Sequence, residues 1–376
     1  MKIKDNLKNI IKYPLILLFV GFIAGIFFLY MIFPDKEISE WENRYLSKAP
    51  EVRISDIADG TFMTKYEEYI NDQIPMRDAF IKLKAICEIC TFKIENNGIA
   101  KGKASYLFTK NTGDSSIFDK NISIISQFVE SIDNPVKIAI APNACGVLES
   151  NVPKGLAIVN QAAKLDELYG DKTLLKSAAV VDLKSVLNAH EDEYIYYKTD
   201  HHWTTLGAYY AYREISDNPV DISLVEKEIG AQYSDGFYGT LYAKYKGLFV
   251  DSDVITYYDI PVKEYVTDDT LRDGLLDKEK LGMFDKYGMF MYGNFGESKI
   301  TTNTENGKEL IVFKDSYANC LIPFLTYDYE YITIIDLRYY KGSVTELINN
   351  NKSADVLFIN NFDFVNEDNH FYKLMK

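Results

Sequence analysis

The stretch KELIVFKDSYANCLIPFL, residues 308–325, joins a short apolar run to a second apolar segment through Lys314, Asp315 and Ser316. Leu310 to Phe313 form a near-continuous apolar core, which is typical of a strand that helices bury on both faces. Residues 317–326 predict the helix that follows. A buried strand that passes through a short polar turn into a helix is the repeating unit of a parallel α/β sheet.

Further segments of the chain repeat this pattern of a short apolar run bounded by turn residues or charges. They are PVKIAIAP (135–142), SAAVVDL (177–183), YITIIDL (331–337) and ADVLFINN (354–361). Helical candidates lie between them at 154–170, 204–216 and 343–350. The sequence therefore predicts an α/β fold with a doubly wound, mostly parallel sheet flanked by helices.

We expect this domain to occupy residues 101–376. Its segment at about 217–305 is rich in Gly, Tyr and Asp and fits the alternation of strands and helices poorly, so we interpret it as an insertion. Residues 34–100 begin as a polar connector. The helical spacing of apolar residues from Thr61 to Ile94, interrupted at Pro75, then predicts two amphipathic membrane-proximal helices.

The clearest physical signal is the apolar run from Tyr13 to Phe33, which contains 21 residues without a charge. As a helix it is long enough to cross a hydrocarbon core of roughly 30 Å. Four lysines precede the run and PDKEISE follows it, so the positive-inside rule predicts a transmembrane anchor at 13–33, with residues 1–12 in the cytoplasm and the rest outside. A cleaved signal peptide is the alternative, although the end of the run offers no A-x-A-like cleavage site.

Charge and cysteine content exclude some classes of function. The net charge is −14, and no basic stripe lies outside the N-terminus, which argues against a nucleic-acid partner because phosphate binding needs a basic face. CEIC (87–90) has the spacing of a redox pair or half a zinc site, but it lies in an apolar helical pattern without a second pair or a nearby histidine. We interpret Cys87 and Cys90 as core residues on adjacent turns.

Ser316 is a candidate nucleophile. It follows the carboxyl end of a predicted strand, where α/β sheets bind ligands, and begins a predicted helix whose free N–H groups can hold an oxyanion. The alternative is that Ser316 only caps this helix.

A serine nucleophile needs a base, and the chain has four histidines, two of them in YIYYKTDHHWTTLGAYYAY (194–212). Asp200 precedes His202 by two residues, so its carboxylate can reach Nδ1–H and leave Nε2 facing a nucleophile. We expect His201 to point away from the site and Trp203 to pack the loop, which leads into a helix capped by Thr204. Two alternatives remain, namely metal binding by residues 200–202 and an ordinary polar loop.

Both motifs together resemble the DHHW proteins, a group similar to the alginate O-acetyltransferases AlgJ and AlgX in the SGNH-hydrolase-like superfamily. SEWENRYLSKAP, ADGTFMTKYEEYINDQIPMRDAFIKL, GKASYLF and IAIAPNACGVLESNVP look like the opening segments of that group in the same order, so the resemblance covers about residues 39–376. It implies an SGNH-hydrolase-like fold with a triad of Asp200, His202 and Ser316. Many SGNH enzymes carry Gly-Asp-Ser where this chain has Lys314-Asp315-Ser316, so the backbone at this turn is expected to differ.

The resemblance also implies O-acetyl transfer to a polysaccharide, without a cofactor, with acetyl groups supplied by a membrane-bound O-acyltransferase (MBOAT). The triad would equally serve an acetyl esterase, and a non-catalytic anchored component that binds or assembles polysaccharide is a third hypothesis. Besides the Ser316 N–H, the candidates for oxyanion or substrate contacts are Arg338, Asn360, Asn361, Trp203 and Tyr317. A surface ion pair for Arg338 and turn roles for the asparagines remain alternatives.

Overall fold

The computed structural model describes residues 13–39, 44–91, 93–170, 177–247 and 249–376. These fall into two compact units, Met1–Thr91 and Phe92–Lys376. The N-terminal segment 1–12 that we expect in the cytoplasm lies outside the described residues.

The first unit contains one helix that is long and apolar enough to span a membrane or to act as a signal sequence. This is helix α1, Pro14–Ile32, with a mean hydropathy of 2.8 and no buried side chain among the described residues. The elements after it are β1 Ile38–Ser39, β2 Arg44–Tyr45, α2 Ile54–Ala58, α3 Thr61–Gln73 and α4 Arg77–Cys90. Helices α3 and α4 confirm the two predicted on either side of Pro75.

The interpretation of Cys87 and Cys90 as core residues is wrong. Both cysteines are exposed on α4, and Ala85 is its one buried residue among those described. The apolar spacing of this helix is real, but within its unit most of that face is uncovered. Periodicity predicts a helix and cannot say which face a neighbour covers.

The second unit contains an eight-stranded mixed sheet with smaller sheets beside it. Its strands are β3 Glu95–Asn96, β4 Ile99–Lys101, β5 Leu107–Thr109, β6 Val136–Ala141, β7 Ala179–Val181, β8 Gln232–Phe237, β9 Asp253–Tyr257, β10 Glu264–Thr267, β11 Thr270–Leu271, β12 Glu297–Thr301, β13 Glu309–Lys314, β14 Tyr331–Ile335 and β15 Asp355–Asn361. The main sheet has the order β11-β10-β12-β14-β13-β15-β6-β7. The five strands from β14 to β7 in this order are parallel, whereas β10, β11 and β12 add antiparallel pairs at one side.

Helices flank this sheet. They are α5 Ser116–Glu130, α6 Ala144–Val147, α7 Gln161–Gly170, α8 Leu183–Asn188, α9 Thr205–Ile215, α10 Ile222–Glu228, α11 Thr240–Tyr245, α12 Ile322–Leu325, α13 Val344–Asn350 and α14 Phe362–Glu367. Short 3₁₀ helices lie at Lys103–Ser105, Glu149–Asn151, Lys278–Gly282, Lys286–Met289, Ser316–Cys320 and Phe371–Met375.

The central strand β13 is buried on both faces, as its apolar run predicts. Leu310 and Val312 belong to the hydrophobic core on one face, and Ile311 and Phe313 to the core on the other. All four side chains are at most 3% exposed. Full burial of each such side chain is favourable by about 1.5 to 3 kcal/mol, which explains why this run fixes β13 in the centre of the sheet.

All five predicted strands of the parallel sheet are confirmed, but two predicted helices differ. Helix α7 begins at Gln161 instead of near residue 154, because Pro153 and Gly155, which has φ +85°, interrupt the chain there. The helix predicted at 317–326 divides into a 3₁₀ turn and the short α12. Pro323 has no N–H group and therefore cannot lie inside one continuous helix.

Candidate active site

The turn after β13 is organised by Asp315. Its Oδ1 accepts a hydrogen bond from the Tyr317 N–H at 2.8 Å, and its Oδ2 accepts one from the Asn361 N–H at 2.7 Å. Asp315 therefore caps the 3₁₀ helix and ties the carboxyl ends of β13 and β15 together, while burial raises its pKa. The alternative in which Ser316 caps this helix is wrong, because Asp315 has that role.

Lys314 occupies the position of the glycine in Gly-Asp-Ser without a left-handed backbone, since its φ is not positive. It is the last residue of β13, and its ammonium group donates to the side-chain oxygens of Asn294 and Asn319, both at 2.7 Å. Burial lowers the pKa of Lys314 to about 8. The side-chain amides of Asn294 and Asn319 thus provide hydrogen-bond acceptors for the buried ammonium group of Lys314.

The loop with the two histidines closes on itself and docks on this turn. Thr204 caps α9 by accepting from the Gly207 N–H, as predicted, and the Tyr197 N–H donates to the His202 carbonyl at 3.2 Å. Trp203 is fully buried, and its Nε1–H donates to the Tyr317 carbonyl at 2.8 Å. Trp203 therefore packs and anchors the loop, and it is not a surface that a substrate reaches.

These two segments bring Asp200, His202 and Ser316 together. His202 Nδ1 lies 2.5 Å from Asp200 Oδ1, and His202 Nε2 lies 2.8 Å from Ser316 Oγ. A carboxylate can only accept, so Nδ1–H donates to Asp200 and Nε2 accepts the Ser316 hydroxyl. Asp200 and His202 are buried, whereas Ser316 is partly exposed.

The other oxygen of Asp200 is held by a segment that the sequence did not identify. Thr240 donates to Asp200 Oδ2 through its N–H at 2.7 Å and its hydroxyl at 3.0 Å. Burial by itself raises the pKa of a carboxyl group, but His201, His202 and these hydrogen bonds outweigh it and hold the pKa of Asp200 well below its usual range. Asp200 is therefore a carboxylate at neutral pH.

A further contact covers the imidazole of His202. The ring of Tyr287 stacks on it with 3.7 Å between centroids and 10° between planes, and the Tyr287 hydroxyl donates to the Ser316 carbonyl at 3.0 Å.

Asp253, buried at the start of β9, accepts from the N–H groups of Lys198 and Thr199, both at 2.8 Å, and so fixes the chain just before Asp200. Thr240, Tyr287 and Asp253 all lie in the 217–305 segment, whose unusual composition was the one signal available.

The prediction that His201 points away from the site is wrong. Its ring lies against His202, 3.8 Å between centroids, because its Nδ1 is held by the Thr240 hydroxyl at 2.7 Å. Burial of the ring and the neighbouring His202 lower the pKa of His201, although 38% of its side-chain surface is exposed.

Asp200, His201 and His202 offer ligand atoms within 4.8 Å of one another, but a metal ion would have to displace hydrogen bonds that His202 and Asp200 already make.

Ser316 opens into a shallow cavity of about 290 Å³. Its lining residues are His201, Asp315, Ser316, Tyr317, Arg338, Asn361, Asp363, Phe364, Glu367 and Asp368. The Arg338 guanidinium is paired through Nε, at 2.9 Å, and a terminal nitrogen with the fully buried Asp336. Arg338 therefore forms an ion pair with Asp336 and also lines the cavity.

Asn361 and Tyr317 also line the cavity, but their polar groups have partners within the protein. The Asn361 side-chain oxygen caps α14 by accepting from the Asp363 N–H at 3.0 Å, and Asn360 is buried and does not line the cavity. The Tyr317 hydroxyl donates to the His201 carbonyl. Arg338 is the charged member of this set, and it lines the cavity.

A family model describing the DHHW protein matches residues 100–335, which is more than half of the chain. The chain belongs to the DHHW family. The Asp-His-His-Trp sequence at 200–203 and Ser316 both lie inside the matched region, whereas Arg338 and the cavity wall at 361–368 lie beyond it. A search of curated protein sequences returned no match.

Solved structures of a DHHW family protein and of PatB1 share the fold of this chain. A DHHW family protein from Eubacterium siraeum is 25% identical with a TM-score of 0.63, and the match covers 75% of this chain and 96% of that one. PatB1 from Bacillus cereus, solved with a sulfonyl adduct, is 19% identical with a TM-score of 0.58, over 73% of this chain and 96% of that one. The O-acetyltransferase domain of Pseudomonas putida AlgJ is more distant, at 12% identity and a TM-score of 0.44, over 72% and 93%.

Proposed function

We propose that this DHHW protein is an extracytoplasmic O-acetyltransferase that passes an acetyl group through an ester of Ser316 to hydroxyl groups of a cell-envelope or secreted polysaccharide. The observation that carries the proposal is the chain of hydrogen bonds from Asp200 through His202 to Ser316 Oγ beside an open cavity. A serine that shares its proton with an oriented histidine is the arrangement that covalent acyl transfer requires. The resemblance of the family to alginate O-acetyltransferases, with their SGNH-like fold, supports acetyl as the group and a polysaccharide as the acceptor.

The reaction has two halves. His202 Nε2 takes the proton of Ser316 as Oγ attacks the carbonyl carbon of the acyl donor, and the leaving group departs with that proton. His202 then takes the proton of an acceptor hydroxyl, whose oxygen attacks the ester, and returns it to Ser316 Oγ. Asp200 stays ionised and stabilises the imidazolium in both halves. These steps need no metal ion or diffusible cofactor.

The negative charge that develops on the carbonyl oxygen needs donors. The Ser316 N–H at the start of the 3₁₀ turn is one, and the guanidinium of Arg338 in the same cavity is the other. Asp336 fixes the position of Arg338 in advance, so that little reorganisation is needed as the charge forms.

In this proposal the reaction takes place outside the cytoplasm, and the N-terminal helix holds the chain at the membrane. Residues 13–33 anchor the chain with residues 1–12 inside, residues 34–100 connect the anchor to the domain, and residues 101–376 are catalytic. One anchor helix cannot carry an acetyl group across the membrane, so a partner of the membrane-bound O-acyltransferase type would deliver it.

An acetyl esterase is the second candidate, because the cavity beside Ser316 is open to solvent and admits water. Water would then replace the sugar hydroxyl in the second half of the same reaction.

The test uses the full chain in lipid nanodiscs with 4-nitrophenyl acetate. We expect mass spectrometry to find an acetyl adduct on the peptide that contains Ser316, and we expect His202→Ala to abolish it. His190→Ala is the matched control, because His190 also pairs with a carboxylate, Glu193, at 2.7 Å but does not contact Ser316. Absence of the adduct in the wild-type chain would refute covalent catalysis and favour the non-catalytic component. Added oligosaccharides then separate transfer, which yields acetylated sugar, from hydrolysis, which yields acetate.

A further inference from the structure

A second cavity lies beside the candidate active site, on the same edge of the sheet. It has a volume of about 350 Å³. Its lining residues are Val266, Asp268, Asp269, Gly296, Glu297, Ser298, Lys299, Tyr339, Tyr340, Lys341 and Gly342. We call it the flanking groove. Tyr339 of this groove directly follows Arg338 of the catalytic cavity, so the two share one turn of the chain.

The topology shows how the groove is placed relative to Ser316. Strand β12 runs antiparallel to β14 and β10 runs antiparallel to β12, so the start of β12 and the end of β10 lie at the carboxyl edge of β14 and β13. Glu297 pairs with Ile335, and Ser298 with Thr267. From β13 to β10 there are three strand spacings of about 4.8 Å, or about 14 Å in all. A chain of sugars laid along this edge would therefore pass from Ser316 by Arg338 into the groove.

Two glycines make room for this arrangement. A Cβ on Gly296 would lie 2.8 Å from the Tyr339 carbonyl oxygen, and one on Gly342 would lie 2.5 Å from the Tyr340 hydroxyl. The turn is fixed in addition by Asp336, whose carbonyl accepts from the N–H groups of Tyr339 at 3.0 Å and Tyr340 at 2.9 Å. The groove is thus preformed and not a gap between mobile side chains.

The lining of the groove suits an uncharged sugar. Tyr339 is 51% exposed and offers an aromatic ring of the kind that packs against the C–H face of a pyranose. Asp268 and Asp269 are exposed carboxylates at a tight turn, and they can accept hydrogen bonds from sugar hydroxyls. Glu297 is already paired with Lys299 at 2.9 Å. Lys341 adds a second ammonium group, but three carboxylates against two lysines leave the lining with a net charge of −1, which disfavours a polyuronate because like charges repel.

We infer that the flanking groove is an acceptor subsite, which binds the sugar residues next to the one that receives the acyl group, and that it takes an uncharged glycan in preference to a polyuronate. This inference rests on the proposed function, because it assigns the groove to the acceptor of that reaction.

The test measures binding and not turnover. Full-length Ser316→Ala protein in lipid nanodiscs is titrated calorimetrically with cellohexaose, chitohexaose, mannohexaose and hexagalacturonate. We expect at least one neutral hexasaccharide to bind more tightly than hexagalacturonate. Introducing Tyr339→Ala into the Ser316→Ala protein should weaken that binding roughly tenfold, which is the effect expected from the loss of one aromatic contact. Asp269→Gly, which keeps the positive φ of this position, provides a second variant that removes a side chain from the groove.

Tyr331→Ala is the matched control. Tyr331 is similarly exposed, at 45%, but it lies at the first residue of β14 and hence at the opposite edge of the sheet. It should leave the affinity unchanged. The inference is overturned if no neutral hexasaccharide binds, if both groove variants bind as tightly as the parent, or if hexagalacturonate binds most tightly. These outcomes are independent of the Ser316 adduct, so the groove and the catalytic proposal can fail separately.

Discussion

Asp200 uses its two carboxylate oxygens for different tasks. Oδ1 accepts from the His202 ring at 2.5 Å and from the His202 N–H at 3.0 Å, which fixes the tautomer and the direction of the imidazole. Oδ2 is held by Thr240. Four donors thus converge on one buried carboxylate, and this is why it stays ionised despite its burial.

Asp200→Asn should leave the fold intact and slow the acetylation of Ser316. The amide nitrogen cannot accept, so either the His202 ring or Thr240 loses a partner and the imidazolium loses its counter-charge. We expect the rate of adduct formation from 4-nitrophenyl acetate to fall by about 10³- to 10⁴-fold. Stopped-flow absorbance of the released 4-nitrophenol measures this rate. A decrease below tenfold, with an unchanged circular dichroism spectrum, would contradict the role of Asp200.

Gly239 is required because the chain passes close to that carboxylate. A Cβ at this position would lie 2.3 Å from Asp200 Oδ2, so Gly239→Ala must displace Asp200 or its neighbours. We expect the rate of Ser316 acetylation to fall at least about 100-fold, as for a misplaced catalytic group. Gly282→Ala is the control, since its Cβ would meet nothing within 4 Å and its φ is not positive. Equal rates of Ser316 acetylation in the two variants would contradict the inference that a side chain at position 239 displaces Asp200.

At the scale of elements, the site exists because three segments meet at the carboxyl edge of the sheet. The β13 turn supplies Ser316, the loop before α9 supplies Asp200 and His202, and the start of α11 supplies Thr240. The Trp203 indole joins the first two segments through its bond to the Tyr317 carbonyl. This contact positions the base relative to the nucleophile without touching the substrate.

Trp203→Phe should therefore weaken the docking of the loop. The variant leaves the buried Tyr317 carbonyl without this donor, which costs about 1 to 3 kcal/mol of the free energy of unfolding. Urea denaturation of the full chain measures that loss. The rate of Ser316 acetylation should fall as well, because the distance from His202 Nε2 to Ser316 Oγ is no longer fixed. An unchanged denaturation midpoint would show that the indole hydrogen bond contributes nothing.

For the whole molecule, the different exposure of the cysteines provides a test of the membrane topology. Cys87 and Cys90 are exposed, whereas Cys320 is buried and burial raises its pKa to about 12, so its thiol is unreactive. If residues 34–376 face outward, a membrane-impermeant maleimide should label reduced intact cells that express the full chain. Mass spectrometry should place the label on Cys87 or Cys90. Labelling only after permeabilisation would reverse the proposed orientation.

The double variant Cys87→Ser, Cys90→Ser is the control for this experiment. It should lose the label and keep the Ser316 adduct, because both residues belong to the first unit and neither lines the catalytic cavity. Signal from this variant would mean that the maleimide reaches the partly exposed Cys145 or the buried Cys320 in the cell.

Local patterns in the sequence were enough for the strands of the parallel sheet, the apolar helix α1 and the helix cap at Thr204. They failed at Cys87, Cys90 and His201, where the question was which side of an element a neighbour covers. A run such as Leu310 to Phe313 carries its own signal, since apolar spacing is a property of consecutive residues. The contact surface of a side chain depends on residues far along the chain, and spacing does not encode it.

The sequence alone was enough to place Ser316 just after a buried strand and to place Asp200 and His202 together in a loop. The fold brings these motifs, 114 residues apart, to hydrogen-bonding distance, and it adds Thr240 and Tyr287 around Asp200 and His202. It also placed the flanking groove beside Arg338. The physical reason is that these contacts follow from the order and register of the strands, which bring distant residues to one edge of the sheet.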